Sequence, residues 1–191
     1  MSRHSVELKT NEQIILMREA GLATAAALRE VRKAVRPGIS TLELDAIAEA
    51  TIIAKGGHSN FKLVPGYSHT ICVSVNDEVV HGIPSKNRVF EAGDIISIDC
   101  GAEINGWNGD AAFTAIVPGE ADADVVASRQ QLSDVTEESL WVGIAALAKA
   151  EYDRHGDPEF FARPCRQCGG TGVVVYGEEG GDDDGSGVAG E

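Results

Sequence analysis

The chain has 191 residues, 43% of them hydrophobic, and a formal net charge of −14 at pH 7. That length suits one medium domain, or one domain with a tail, and at that size a core forms without disulfides, so the four cysteines read as thiols. The acidic balance argues against non-specific nucleic-acid binding, no apolar run nears the roughly 20 residues that cross a bilayer, and "MSRHSVELKTNEQ" has no signal core; a cytoplasmic setting is expected.

The first element expected is a long helix from Thr10 to Val35. "TNEQ" has the form of a capping box, with Thr10 as cap and Gln13 three residues on. Ile14, Met17, Leu22, Leu28, Val31 and Val35 supply an apolar stripe, and Pro37 and Gly38 end the element. Ser40 and Glu43 repeat the capping pattern ahead of a second helix with Leu44, Ile47, Ala48 and Ile52 on one face, closed by Gly56 and Gly57.

The period then changes. "TICVSV", Thr70 to Val75, alternates as a strand does, Asn76-Asp77 suits a turn, and "EVVHGIP" is expected as a short strand ending at Gly82 and Pro84. "GDIISIDCGAE" and "GDAAFTAIV" flank Asn105-Gly106, a strong signal for a tight hairpin. A last helix is expected from Asp124 to Lys149, with Val125, Leu132, Val135, Leu140, Ile144 and Leu147 as apolar positions. The order α-α-β-β-β-β-α describes an α+β domain with an antiparallel sheet over residues 1–150. Residues 151–191 change character: rich in glycine, carrying half the excess negative charge, they read as a mostly disordered acidic tail.

Two aspartates stand in the apolar hairpin. A two-residue turn at Asn105-Gly106 sets Asp99 opposite residue 112, which makes Asp110 its diagonal neighbour on the same face, roughly 7–8 Å away. The stretch has no Lys, Arg or His to offset them. A divalent cation between them removes their repulsion, and oxygen ligands suit Mg, Mn, Fe(II), Co or Zn. The alternative is a pair of solvated carboxylates on a wet sheet face; "DIISIDCGA" has few polar positions and is expected to be buried on both sides. His81, at the end of "NDEVVHGIPS", could donate to a substrate carbonyl beside such a pair; alone it reads as structural or exposed.

"SVNDEVVHGIPS" and "GDIISIDCGAEINGWNGDAAFT", with "RPGISTLELDAIAE" and "TEESLWVGIAAL", resemble type I methionyl aminopeptidases of the actinobacterial kind from Val6 to Ala150. The resemblance implies the pita-bread (creatinase/aminopeptidase-like) fold, present to about its first half. It implies removal of the initiator methionine from nascent peptides at a dinuclear centre of Co, Mn, Fe(II) or Zn, held by two Asp, one His and two Glu. Asp99 and Asp110 match the two aspartates, His81 the histidine beside the scissile bond, and Tyr67 and Cys72 positions lining the methionine pocket. The His and both Glu of the family's second half have no recognisable counterpart, and His155, Glu178 and Glu179 lie in no matching motif. Asn108 and Pro65 stand where the family commonly has histidines. An inactive or unstable isolated chain is therefore expected, and a half-domain that pairs with another copy or subunit through its exposed face is the alternative function. "CRQCGGTG" resembles one zinc knuckle of J-type chaperones, with Cys165 and Cys168 as two thiolates; an incidental pair of thiols in a flexible tail is the plainer reading.

Overall fold

A computed structural model describes residues 9–155, 161–164 and 173–176, with side chains for 9–147. Both capping boxes form. Thr10 Oγ1 accepts from Gln13 N while the Gln13 side chain accepts from Thr10 N, opening helix α1, Asn11–Ala34. Ser40 and Glu43 do the same for α2, Thr41–Ala54. A short strand β1, His58–Ser59, and one 3₁₀ turn, Phe61–Leu63, lead to β2, Ile71–Val75.

β3, Ile95–Ile104, and β4, Trp107–Ile116, form the hairpin. Asn105 and Gly106 both take positive φ, 53° and 83°, the backbone that a tight two-residue hairpin turn demands. Asp99 pairs with Ala112, so the register is the one expected from sequence. β3 is central, with β4 on one side and β1 and β2 on the other, all antiparallel. α3 runs Ala123–His155 and starts where Asp122 Oδ1 accepts from the amides of Asp124 and Val125. β5, Phe161–Pro164, pairs with β6, Val173–Tyr176. Cys165 and Cys168 lie outside the described residues. No helix among the described residues is long and apolar enough to cross a membrane.

The core lies between one face of the sheet and the two first helices. Ile71, Val73, Val75, Ile96, Ile98, Cys100, Ala102 and Phe113 meet Leu44, Ala48 and Ile52 of α2 and Ala23, Ala27, Leu28 and Val31 of α1. The stripe expected for α1 is only partly the buried one: Leu28 and Val31 are buried, but Ile14, Met17 and Leu22 are exposed and alanines take their place. The reason is distance. α1 crosses β4 so closely that a Cβ at Gly109 would stand 2.4 Å from Gly21 N and 2.5 Å from the Ala20 carbonyl carbon. Only small side chains fit that crossing, and Thr24 Oγ1 donates to Gly109 O at 3.1 Å.

The second expected strand, "EVVHGIP", is not a strand. Residues 76–90 form turns and loop, with Val79, Val80 and Ile83 exposed. Asn76 at φ 58° turns the chain, and Glu78 folds back so that Val75 N donates to its carboxylate at 2.8 Å. One ladder-like bond survives, Val73 N to Gly82 O at 2.8 Å.

Candidate active site

The face of the sheet turned away from α1 and α2 carries the candidate site. Across β2, β3 and β4 it presents Ser74, Ser97 and Thr114 on one row and Cys72, Asp99 and Ala112 on the next, followed by Gly101 and Asp110. Ser97, Asp110, Ala112 and Thr114 are exposed. The expectation that β3 is buried on both sides is thereby corrected in part: one side is core, while on the other Ser97 is exposed and Asp99 half-buried, and Cys72, Ser74 and Gly101 are buried, Ser74 under the 76–90 loop and Gly101 against Asn60 and Phe61. Ser97 and Thr114 hydroxyls bond each other at 2.9 Å.

Asp99 and Asp110 stand diagonally on that face, as the hairpin register requires. Asp99 is half-buried and Asp110 exposed at the edge strand. Burial raises the Asp99 carboxyl above the ordinary range, opposed by the Cys100 amide, the His81 charge and a hydrogen bond with Asp110. Burial also raises Asp110, and here the Asp99 charge and the same hydrogen bond push further up. Both carboxyls are thus raised, first by burial, and for Asp110 by the Asp99 charge as well.

Among the described residues no group of three or more His, Cys, Asp or Glu side chains converges on a metal position. Two hard carboxylate oxygen donors whose ionised forms repel fit two positions on one divalent ion, with water completing the shell. They do not by themselves make a five-ligand dinuclear centre.

His81 reaches Asp99 electrostatically from the 76–90 loop. Its φ of 55° is the left-handed region, which a residue other than glycine occupies only when its surroundings hold it there. Gly82 does the holding. Its amide donates to Ser74 Oγ at 3.2 Å, and its carbonyl accepts from Val73 N. A Cβ on Gly82 would stand 2.0 Å from Val73 O, so no other residue lets the loop approach β2 so closely.

Tyr67 and Cys72 meet beside the pair. The Tyr67 hydroxyl donates to Ile71 O at 2.7 Å, which leaves the Cys72 thiol, 3.2 Å away, to donate to the phenol oxygen. Burial first, then Cys72, raises the Tyr67 phenol. Burial likewise raises Cys72 and pushes Cys100 up to about 12, so both are thiols at neutral pH. Phe61 and His69 stand edge-on to the Tyr67 ring at 6.4 and 5.8 Å. Asn108 Oδ1 accepts from Asn60 Nδ2 at 3.1 Å, and Pro65 is exposed in the turn before Tyr67.

Sequence reasoning missed Asp45, Asn60 and Ser74. Asp45 left a signal: it falls on the buried face of α2 with Thr41, Leu44, Ala48 and Ile52, where an acid requires partners. Asn60 and Ser74 left none, because their roles depend on which segment lies over which.

Residues 15–154 match the family model described as metallopeptidase family M24. Methionine aminopeptidase 1 of Mycobacterium tuberculosis is 47% identical over 145 residues, covering 76% of this chain and 53% of that protein. Methionine aminopeptidase 1 of Bacillus subtilis is 48% identical over 143 residues, covering 75% and 55%. The crystal structure of methionine aminopeptidase from Thermotoga maritima superposes with a TM-score of 0.66 at 42% identity, covering 73% of this chain and 54% of that one. The enzyme from Rickettsia prowazekii gives 0.67 at 28% identity, covering the same shares. The chain thus spans about half the length of the curated relatives it matches.

Proposed function

The chain belongs to metallopeptidase family M24, and from that premise we propose that its open sheet face is half of a metal-dependent site for removing N-terminal methionine from peptides. Its α+β architecture is part of the pita-bread fold of the methionine aminopeptidases it resembles. The observation that carries the reading is the Asp99–Asp110 pair, diagonal neighbours on one face of the hairpin, with His81 and Cys72 beside it.

Asp99 and Asp110 would hold the cation. A bound divalent ion of the Co, Mn, Fe(II) or Zn type supplies Lewis acidity and lowers the pKa of water. The residues of this chain do the rest of what this half offers. His81, fixed by the Gly82 clamp, donates to the carbonyl oxygen as negative charge gathers there. Tyr67 and Cys72 form one wall of a weakly polar pocket, suited to a thioether side chain. In this reading residues 1–150 form the catalytic half-domain and residues 151–191 an appended acidic segment.

Two ligands hold one cation weakly. Purified alone, the chain is expected to bind about one Mn(II) per molecule with water filling the shell, and to show no robust hydrolysis of a Met-Ala-Ser peptide with Co(II) or Mn(II). Titration calorimetry tests the first statement: heat of binding lost in Asp110→Asn supports the pair as ligands, and no uptake by a folded sample removes the reading. Robust turnover abolished by Asp110→Ala would instead show that the site is complete.

A second reading rests on α3, where Leu132, Val135, Leu140, Val142 and Leu147 are all exposed. Such a face suits a half-domain that pairs with a second copy or another subunit. A sedimentation mass of one chain, independent of concentration, rules out self-pairing.

A further inference from the structure

Asp45 carries a carboxylate that the proposed chemistry does not use. It is 5% exposed, and it lies on α2 rather than on the sheet. A buried carboxylate is costly unless its oxygens are paired. Asp45 meets that cost with one short segment: Oδ1 accepts from Thr70 N at 2.7 Å and Ile71 N at 2.9 Å, and Oδ2 faces His69 Nδ1 at 3.4 Å. Those three residues are the entry to β2, with Tyr67 two residues before them and Cys72 directly after. Tyr67 is in turn tied to the same segment through Ile71 O, and Cys72 lies directly across the ladder from Asp99.

We propose that Asp45 is a positioning residue of the site: it fixes the entry of β2 so that Tyr67 and Cys72 stand beside the Asp99–Asp110 pair. The inference rests on the reading of Tyr67 and Cys72 as a wall of the methionine pocket. Its mechanics are separate from that reading. No other side chain among the described residues accepts from the amides of Thr70 or Ile71. On the far side Ser59 Oγ donates to Thr70 O at 3.1 Å, so the carbonyl has its own partner while both amides donate to Asp45. Removing the carboxylate therefore frees two buried donors at once, and the segment rotates or opens to find water. The rest of β2 keeps its ladder to β3.

The two buried thiols make the test internal. Cys72 reports on the entry of β2, and Cys100, wholly buried on the core face of β3, reports on the fold. Alkylation with iodoacetamide, read site by site by mass spectrometry on the full chain, is expected to accelerate at Cys72 by about tenfold or more in Asp45→Ala, since hydrogen bonds to a charged group are lost. Cys100 is expected to stay protected. Asp45→Asn keeps one acceptor oxygen for both amides and is expected to restore Cys72 protection. An unchanged Cys72 rate in Asp45→Ala with Cys100 still protected overturns the proposal. If Asp45→Ala exposes both thiols, hydrogen exchange in the unmutated chain decides instead. Thr70 and Ile71 amides exchanging as slowly as Val73 support the clamp, and exchange at loop rates overturns it. Excess methionine amide separates the two inferences: it should shield Cys72 in the unmutated chain. If it does not, the pocket reading falls while the thiol and exchange results still judge Asp45.

Discussion

The two faces of one four-stranded sheet obey different rules. On the helix-covered face, alternate residues of β2 and β3 are Ile, Val, Cys and Ala, nearly free of solvent and packed against alanines of α1 and Leu44 of α2. On the other, the intervening residues are Ser, Thr, Asp and Cys, in rows that cross three strands. The same backbone supports both because side chains alternate along a strand. The covered face makes the domain stable. The open face is where charge is tolerated, so it is where chemistry can reside.

If that division is right, truncations on the two faces must differ greatly in cost. Leu44 is wholly buried in the core, and Leu44→Ala is expected to cost about 2–5 kcal/mol in denaturant unfolding. Ser97→Ala on the open face should stay within about 0.5 kcal/mol. Similar losses for both would mean that the open face is not open in solution.

A smaller but sharper effect is expected where α1 touches β4. Gly109→Ala places a methyl against the backbone of Gly21 and Ala20, which no side-chain rotation can relieve, and should cost about 1–3 kcal/mol by the same measurement. At Gly106, in the hairpin turn, an added Cβ meets nothing within 4 Å, so the φ of 83° alone opposes Gly106→Ala. Comparing the two separates steric crowding from backbone strain.

These residues also mark how far the sequence could be read. The capping boxes at Thr10 and Ser40 and the turn at Asn105-Gly106 are local devices, whose partners lie within three residues, so both helix starts and the register that aligns Asp99 with Asp110 were legible. The buried face of α1 was not, because its selection of alanines over Ile14 and Met17 depends on a glycine 88 residues after Gly21. The strand expected at "EVVHGIP" fails for a similar reason, although the turn expected at Asn76-Asp77 forms: Glu78 caps Val75 and replaces the ladder that β-branched residues suggest. The family resemblance pointed to His81, yet its left-handed backbone and the Ser74 bond that holds Gly82 are visible only in three dimensions.

That clamp ranks next. Ser74→Ala removes the acceptor for Gly82 N at 3.2 Å and is expected to cost about 1 kcal/mol. The more telling readout is local. Gly82 amide exchange should rise while amides of β3 keep their protection, and Ser74→Thr should restore it. A Gly82 amide that exchanges no faster without the hydroxyl would show that Val73 alone holds the loop.

The smallest effect concerns charge on the open face. Folding raises the Asp99 and Asp110 carboxyls above the ordinary 3.8, first through burial and, for Asp110, through its neighbour. A raised folded pKa means that the folded state binds protons more tightly, so the pair favours folding in acid and loses that contribution as pH rises from about 4 through the raised values. Glu43 has the opposite sign: its carboxyl is lowered by Ser40, so its contribution is present at neutral pH and fades in acid. The raw pH profile mixes the two, and the difference between Asp110→Asn and the unmutated chain isolates the pair. Without metal, Asp110→Asn should be the more stable near pH 7, by no more than about 1 kcal/mol because Asp110 is solvent-screened. The advantage should vanish toward pH 3. Adding Mn(II) at pH 7 should reverse the order, since only the unmutated chain gains from binding. A stability difference independent of both pH and Mn(II) would mean that the two carboxylates do not sense each other, and the open face would then be merely wet.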